Sequence, residues 1–329
     1  MAEFEFAILG AGAMGSILGA HLARAGHSVA MLARGARAAQ IEHQGLRIKG
    51  LSELTVPVRV LRKPSELFST EVLIVATKTP GTAEALQGVR YADIGVALSI
   101  QNGPLKNELL TEAFGIKRVL GALADTSGEL LPDGEVLFTR NVGIFVGEVW
   151  GGASPRAQDL AQSLDQAGLR AAMSTEILSL EWSKFCAWVG LMVVSVLTRL
   201  PTWQYACDRG SALVVVRLVR EIASIAQALG ITPSDDSVLP VATMVAGTES
   251  AAAYPVLRLG EEFKNSAPRH RMSSLQDLEA GRPLEVQETL GYAVRKAADL
   301  GLKLPLLESF YPLIATIDRL QRLDGPRAH

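Results

Sequence analysis

The stretch Phe4-Glu5-Phe6-Ala7-Ile8-Leu9-Gly10-Ala11-Gly12-Ala13-Met14-Gly15 decides the fold of this chain. Its first half, Phe4–Leu9, predicts a strand, and the segment from Met14 to Ala25 predicts a helix that ends at Gly26. Between them, the first glycine permits a tight turn, the second lets a pyrophosphate approach the backbone, and the third lets helix and strand pack closely. The helix N-terminus then faces the phosphates. We therefore predict a dinucleotide site made of Gly10, Ala11, Gly12, Ala13, Met14 and Gly15.

The remaining sequence puts this motif at the start of a two-domain protein. Further strand-like runs lie at Ser28–Leu32, Glu71–Thr77, Gly95–Ile100, Arg118–Leu123 and Val142–Val146. Because strands and helices alternate, we expect an α/β, Rossmann-type domain with a mostly parallel sheet over residues 1–174. From Glu176 onward the pattern is helical, at Leu178–Leu200, Ser211–Leu229, Ala251–Leu259, Ser274–Ala280, Leu284–Leu300 and Pro305–Leu323. We expect an all-α domain over residues 175–329 and a ligand cleft between the domains.

Composition excludes several classes of function. The 329 residues include 32 Lys+Arg and 34 Asp+Glu, a net charge of −2, which predicts neither a nucleic-acid surface nor a polybasic membrane patch. Two cysteines without a CxxC motif and five scattered histidines indicate a reducing compartment and no metal site. Glu3 and Glu5 interrupt the start, so we expect no signal peptide and a cytoplasmic protein. The apolar run Phe185–Thr198 is too short to span a membrane and predicts a core helix.

The end of the second strand indicates which dinucleotide binds. An NAD site usually offers Asp or Glu there for the ribose 2′-hydroxyl. Here the segment is Met31-Leu32-Ala33-Arg34-Gly35-Ala36-Arg37, and no carboxylate follows until Glu42. Arg34 is placed for a 2′-phosphate, with Arg37 placed to assist, because Arg is the natural bidentate partner of phosphate. This pattern predicts NADP(H), and the alternative is that Arg34 is an ordinary solvated arginine.

Polar residues also follow two later strands. Lys78 ends the strand "VLIVAT", and Asn102 follows "VALSI" within Gln101-Asn102-Gly103-Pro104. Each alone is explained as an exposed loop residue or a turn residue before glycine. Together, at the carboxyl ends of successive strands, they favour a ligand site.

Lys184 is the most unusual residue of the second half. It stands at the start of an almost wholly apolar helix, on the same face as Trp188, Met192 and Ser195. An apolar neighbourhood lowers the pKa of an ammonium group, and a lysine tuned in that way can deliver a proton near neutral pH. The alternative is a lysine that extends from the first helical turn into water.

The segment Met272–Glu285 has an ordinary explanation by periodicity alone. Ser273 and Gln276 have the pattern of a capping box, Gly281 ends the short helix, and Glu285 suits the N-terminus of the next one.

Together these features resemble the 2-dehydropantoate 2-reductase (ketopantoate reductase) family over nearly the whole chain. The resemblance rests on the N-terminal GAGAMG, Lys78, the "QNG" at Asn102, the "WSK" at Lys184 and the segment "SSLQDLEAGRPLE". It implies an enzyme that reduces a 2-oxo acid with NADPH.

The resemblance also implies a role for each residue. Gly10–Gly15 would hold the pyrophosphate, Arg34 the 2′-phosphate, and Ser127 would lie near the cofactor. Lys78 and Asn102 would line the nicotinamide end, where Asn102 would also meet the substrate. Lys184 would donate the proton, Glu285 would orient the lysine and the substrate, and Ser273 would grip the acid.

This chain departs from the family where the substrate is held. The family often carries asparagine four and eight residues after its lysine, and here those positions are Trp188 and Met192; a third asparagine position is His270. Trp188 and Met192 would make the substrate wall apolar and bulky. We expect 2-dehydropantoate or a related branched 2-oxo acid as the small-molecule partner, no nucleic acid or membrane partner, and a homodimer as the assembly to consider.

Two other interpretations stay open. A β-hydroxyacid dehydrogenase or imine reductase also pairs GxGxMG with a helical domain and a lysine. A non-catalytic NADPH-binding redox sensor would keep the glycines and Arg34 but would have no need for Lys184.

Overall fold

The computed structural model describes residues 2–324. These residues divide into two compact units, an N-terminal unit that ends at Leu178 and a C-terminal unit that begins at Ser179. The boundary predicted from the sequence, between residues 174 and 175, falls within the N-terminal unit.

The N-terminal unit is built from strands and helices. In chain order they are β1 (Phe4–Leu9), α1 (Ala13–Arg24), β2 (Val29–Leu32), α2 (Gly35–Gln44), β3 (Leu46–Gly50), β4 (Leu54–Val56), β5 (Arg59–Leu61), β6 (Ser69–Val75), α3 (Thr82–Val89), β7 (Asp93–Ser99), α4 (Leu105–Phe114), β8 (Leu120–Leu130), β9 (Val136–Glu148), α5 (Pro155–Gln166) and β10 (Ala171–Met173). Single 3₁₀ turns lie at Pro64–Glu66 and Ile116–Arg118.

The first sheet is entirely parallel, in the order β5-β2-β1-β6-β7. Its strands carry near-continuous apolar runs because helices cover both faces, and residues 6–9 of β1 are all buried. The prediction of a Rossmann-type α/β unit is therefore confirmed.

A second sheet, in the order β10-β9-β3-β4 with β8 antiparallel to β9, was not predicted. Its strands β3 and β4 are only five and three residues long, so they carry little periodic signal. The long β8–β9 hairpin was recognised only in part. Its ladder is irregular between Asp125 and Thr126 and between Ser127 and Gly128, and the exposed Thr139 and Arg140 interrupt the apolar pattern of β9.

Helix α1 packs between the two sheets. A Cβ added at Gly19 would lie 2.6 Å from the Met31 sulfur in β2 and 3.0 Å from Leu46 Cδ1 in β3. The absence of a side chain at Gly19 therefore lets α1 pack closely against both sheets.

The end of β9, in the second sheet, is joined to α5 by a partly buried ion pair. Arg156 Nε lies 2.7 Å from Glu148 Oε1, and Arg156 Nη2 lies 2.6 Å from Glu148 Oε2. The Glu148 side chain is only 3% exposed, and the guanidinium lowers the pKa of this carboxyl below its usual value. Two parallel charge-assisted hydrogen bonds thus fix α5 against β9.

In the C-terminal unit, every regular element among the described residues is a helix, as predicted. The helices are α6 (Ile177–Thr198), which begins just before the boundary, α7 (Thr202–Cys207), α8 (Arg209–Ala228), α9 (Val241–Ala246), α10 (Glu249–Ser266), α11 (Ser273–Glu279), α12 (Leu290–Asp299) and α13 (Pro305–Asp324). Helix α6 is long and apolar enough to cross a membrane, but 72% of its most apolar 18-residue window is buried within the protein.

Two local predictions in this unit are wrong. Ser273 is the first residue of α11 and not its cap: the N-cap is Met272, without a side-chain hydrogen bond. The helix expected from Leu284 begins only at Leu290. The Leu284 amide instead donates to Asp318 Oδ1 at 2.8 Å, and Leu284 is buried, so packing against α13 overrides the local helical pattern.

Candidate functional site

The carboxyl ends of four strands lie level at one edge of the first sheet. Leu9 of β1 pairs with Leu32 of β2 and with Val75 of β6, and Val75 pairs with Ser99 of β7. The glycine segment and the loops that carry Arg34, Lys78 and Asn102 therefore all begin at the same edge, which is where open parallel sheets bind ligands.

The three glycines of the loop have three different environments. Gly10 has φ +112°, and a Cβ there would lie 2.8 Å from Thr77 Cγ2. A Cβ at Gly15 would overlap the carbonyl oxygen of Gly10, so α1 touches the loop that precedes it. A Cβ at Gly12 would meet nothing within 4 Å.

These environments match the predicted roles of turn, ligand approach and helix packing. Gly12 is exposed, Ala11 is buried, and Ala13 and Met14 start α1. The exposed backbone at the N-terminus of α1 fits the pyrophosphate of a dinucleotide, because the space beside Gly12 is open and the N–H groups at a helix N-terminus attract phosphate.

Arg34 is the N-cap residue of α2, and its side chain is exposed. Within residues 2–324 it makes no side-chain hydrogen bond and no ion pair. The nearest carboxylate along the chain, Glu42, is bound to Arg62 through contacts of 2.6 and 2.9 Å. Arg34 is thus available to an anionic ligand at the edge of the sheet.

Arg37 does not share this availability. Its half-buried guanidinium turns toward the glycine segment and donates to Ala11 O at 3.0 Å and to Ser16 Oγ at 2.8 Å. The expectation that Arg37 assists Arg34 with a 2′-phosphate is not supported by these contacts.

The loops that carry Lys78 and Asn102 are joined by Gln101, a buried residue to which the sequence assigned no role. Its amide nitrogen donates to Thr77 O at 2.9 Å and to Thr82 Oγ1 at 2.8 Å. Its amide oxygen accepts from Ser99 Oγ at 3.0 Å. Lys78 is exposed and Asn102 is partly exposed. Gln101 thus fixes one loop to the other, and its position next to Asn102 was the only available signal.

Ser127 is exposed on β8, and its hydroxyl lies 3.3 Å from Thr139 Oγ1 across the hairpin. The next residue, Gly128, packs close to α1, because a Cβ there would lie 2.7 Å from Ile17 Cδ1. Ser127 is therefore attached to the layer that supports α1.

In the C-terminal unit, Lys184 is partly exposed in the first turns of α6, while its sequence neighbours Ser183 and Phe185 are buried. The Phe185 ring packs edge-to-face with Trp182 at 5.9 Å and stacks with Trp188 at 6.4 Å. An aromatic surface therefore flanks the lysine on its own helix.

Two serines hold this part of α6. Ser183 Oγ donates to Ser179 O at 2.7 Å and accepts from the Ser234 amide at 2.7 Å. Ser179 Oγ donates to Thr232 O at 2.6 Å. The turn that presents Lys184 is thus bound to the loop after α8, which gives the serine of "WSK" a structural role.

The substrate residues predicted from the resemblance differ in exposure. Trp188 is partly exposed, but Met192 is only 1% exposed. Ser273 is exposed at the start of α11, and its hydroxyl makes no hydrogen bond among the described residues. Glu285 is partly buried in the non-helical segment between α11 and α12.

His270 precedes α11 and holds this segment to α7. Its ring stacks on Phe263 with centroids 4.2 Å apart, and its Nδ1 lies 2.9 Å from Thr202 Oγ1. Among residues 2–324, no group of three or more His, Cys, Asp or Glu is arranged to hold a metal ion.

A doubly wound parallel sheet with a glycine turn of this geometry, followed by an all-helical unit, defines a class of nicotinamide-dependent oxidoreductases. Comparison of the sequence with known families specifies the member of this class. The profile "Ketopantoate reductase PanE/ApbA" matches residues 6–151, and the profile of its C-terminal domain matches residues 176–318. The chain belongs to this family, which confirms the resemblance.

Individual relatives are similar over nearly their whole length. The chain is 29% identical to a 2-dehydropantoate 2-reductase of Archaeoglobus fulgidus, covering 94% of this chain and 97% of the relative. It is 28% identical to one of Mesorhizobium japonicum, with 86% and 88% covered.

Solved structures agree with this assignment. The 2-dehydropantoate 2-reductase of Methylococcus capsulatus has a TM-score of 0.77 at 25% identity, covering 96% of this chain and 97% of that one. A D-mandelate dehydrogenase solved with NADH and anilino(oxo)acetate has a TM-score of 0.79 at 21% identity, covering 96% and 99%, and shares the fold.

The glycine environments predict opposite effects for two similar substitutions. Gly15→Ala should destabilise the protein by about 3 kcal/mol or more, because its Cβ would overlap a backbone carbonyl. Gly12→Ala should cost about 1 kcal/mol or less, the usual effect of a changed N-cap, yet weaken dinucleotide binding by about tenfold or more. Urea unfolding and calorimetric titration with NADPH and NADH measure the two effects. Unchanged affinity of Gly12→Ala would contradict a pyrophosphate above Gly12.

Proposed function

We propose that this protein reduces a 2-oxo acid to the 2-hydroxy acid with NADPH, and that the substrate is 2-dehydropantoate or a related branched 2-oxo acid. Family membership over both units supports the reaction class. The observation that carries the proposal is Lys184, a partly exposed ammonium group on a mostly apolar helix whose other charged residue, Glu181, is buried.

The cofactor would lie along the carboxyl edge of the first sheet. The backbone at Gly10–Gly15 would hold the pyrophosphate and Arg34 the 2′-phosphate. Lys78 and Asn102, on loops fixed by Gln101, would line the nicotinamide end, with Ser127 nearby. When bound, the reduced nicotinamide supplies a hydride to the ketone carbon.

Lys184 would then donate a proton to the ketone oxygen, which gains negative charge as the carbonyl is reduced. Its positive charge also stabilises that oxygen before the proton moves. Ser183 and Ser179 would keep the helical turn in place, so that the ammonium group does not have to reorganise during the reaction. Glu285 would orient the lysine and the substrate hydroxyl groups.

Polar and apolar side chains would together hold the substrate. The Ser273 hydroxyl would bind the acid group, and Asn102 would contact the substrate from the N-terminal unit. Trp188, whose ring is oriented by Phe185, would contact the apolar branch. Met192 is buried, so it would support Trp188 from behind more than it touches the substrate. We place the enzyme in the cytoplasm, with the homodimer as the assembly to test.

Arg34 predicts a preference for NADPH over NADH. Arg34→Ala should weaken NADPH binding about tenfold to a hundredfold, because a charge-assisted contact to phosphate is lost, and should leave NADH binding nearly unchanged. Calorimetric titration with both cofactors measures this. Arg62→Ala, which removes an exposed arginine already bound to Glu42, is the control. Equal affinity of the unmodified protein for both cofactors would exclude the predicted role.

If Lys184 is the proton donor, its replacement should reduce turnover without weakening cofactor binding. Lys184→Ala should lower kcat with 2-dehydropantoate by about 10²–10⁴, the usual range for a positioned proton donor. Lys184→Arg should not restore activity, since guanidinium does not release its proton in this pH range. NADPH consumption in the presence of substrate gives kcat, and titration gives the NADPH affinity.

The control for Lys184 is Lys303→Ala, which removes an exposed lysine from the same unit. Its kcat should equal that of the unmodified enzyme. If Lys184→Ala retained more than about a tenth of the kcat, the assignment as proton donor would be wrong.

A further inference from the structure

The side chain of Arg37 spans three parts of the N-terminal unit. From α2 it donates to Ala11 O of the glycine segment at 3.0 Å and to Ser16 Oγ of α1 at 2.8 Å. It also donates to Gly134 O, in the turn between β8 and β9, at 2.7 Å. A fourth bond, of 3.0 Å, goes to Gln40 Oε1 on its own helix.

The bond to Ala11 O determines the direction of a neighbouring group. The Ala11–Gly12 peptide is trans, so the carbonyl of Ala11 and the N–H of Gly12 point in opposite directions. Ser16 Oγ adds a second donor to the same carbonyl, at 3.3 Å. With the carbonyl held toward Arg37, the N–H of Gly12 points away from Arg37.

The N–H of Gly12 has no acceptor among residues 2–324, whereas the Gly12 carbonyl already accepts the first helical hydrogen bond, from Ser16 N at 2.9 Å. Gly12 is exposed, and no atom lies within 4 Å of the Cβ position. Arg37 therefore fixes an unused backbone donor at the place where the pyrophosphate approaches.

The charge of Arg37 is not neutralised within the described part of the chain. All four of its acceptors are uncharged oxygens, and it forms no ion pair there. Its charged neighbour Arg47 pairs with Asp133 at 3.2 Å. Burial lowers the pKa of Arg37, yet a guanidinium stays charged in proteins. A half-buried cation beneath the loop raises the affinity of the loop for an anion above it.

We propose that Arg37 is the positioning residue for the pyrophosphate of the dinucleotide: it orients the Gly12 N–H, and its charge is compensated when the pyrophosphate binds. Arg34 alone serves the 2′-phosphate. This inference rests on dinucleotide binding at the glycine segment, which is part of the proposed function, but it requires no turnover.

Two fragments of the cofactor separate the two arginines. ADP carries the pyrophosphate without a 2′-phosphate, and adenosine 2′-monophosphate carries the 2′-phosphate without a pyrophosphate. Arg37→Gln in the full chain should weaken ADP, NADH and NADPH by a similar factor, about tenfold, and leave adenosine 2′-monophosphate unchanged. The matched variant Arg34→Gln should do the reverse: it should weaken adenosine 2′-monophosphate and NADPH and spare ADP and NADH. Calorimetric titration measures all eight affinities.

Each alternative gives a different pattern. If Arg37 contacted the 2′-phosphate, Arg37→Gln would lower the preference for NADPH over NADH. If Arg37 only stabilised the fold, both fragments would weaken together. Either result would overturn the proposal. Arg37→Lys keeps the charge but has fewer hydrogen-bond donors. It should show a smaller loss of ADP affinity that also spares adenosine 2′-monophosphate. This variant replaces Arg37→Gln in the test if Arg37→Gln does not fold. A protein that bound neither NADH nor NADPH would contradict the proposed function itself.

Discussion

The contact between Gly15 and the carbonyl of Gly10 is the constraint on which the site depends. Any side chain at Gly15 would overlap that oxygen, so α1 can start directly above the end of β1 only because the position is glycine. The start of α1 in turn places Gly12 at the exposed edge of the sheet. Gly19, one turn further along, lets the same helix approach β2 and β3. Close packing of one helix thus exposes the backbone at which we propose that the pyrophosphate binds.

The two arginines that follow β2, Arg34 and Arg37, differ in the contacts that their side chains make. The Arg34 side chain is exposed at the start of α2 and makes no hydrogen bond or ion pair with the described residues, so its charge is available to a ligand. Arg37, one turn later on the same helix, donates hydrogen bonds to the glycine segment, to α1 and to the β8–β9 turn, besides one to Gln40 on its own helix. Their different contacts are the reason why we propose a separate function for each arginine.

Much of the fold could be predicted because the signals are local, and so could the common sheet edge at which the loops with the predicted dinucleotide residues begin. The glycine spacing and the apolar runs of β1, β6 and β7 define strand ends without tertiary information. The sequence suggested a 2′-phosphate contact for Arg37 and no role for Gln101, because the partners that bind these two side chains, such as Gly134 and Thr77, are distant in the sequence. The prediction of a helix from Leu284 was wrong for the same reason, because the Leu284 amide donates a hydrogen bond to the distant Asp318. Site roles in the C-terminal unit rest on the family resemblance and stay predictions.

This chain departs from the family pattern at Trp188, Met192 and His270, where the resemblance expects substrate-binding asparagines, whereas Lys184 matches the pattern. The central claim is therefore the reaction: reduction of a 2-oxo acid by direct hydride transfer. The most direct measurement uses NADPH deuterated at C4 of the nicotinamide, with 2-dehydropantoate as substrate and mass spectrometry of the product. Deuterium on the carbinol carbon of the 2-hydroxy acid is the predicted result. Tight binding of NADPH with no labelled hydroxy acid from this or any other branched 2-oxo acid would contradict the claim and favour a sensor.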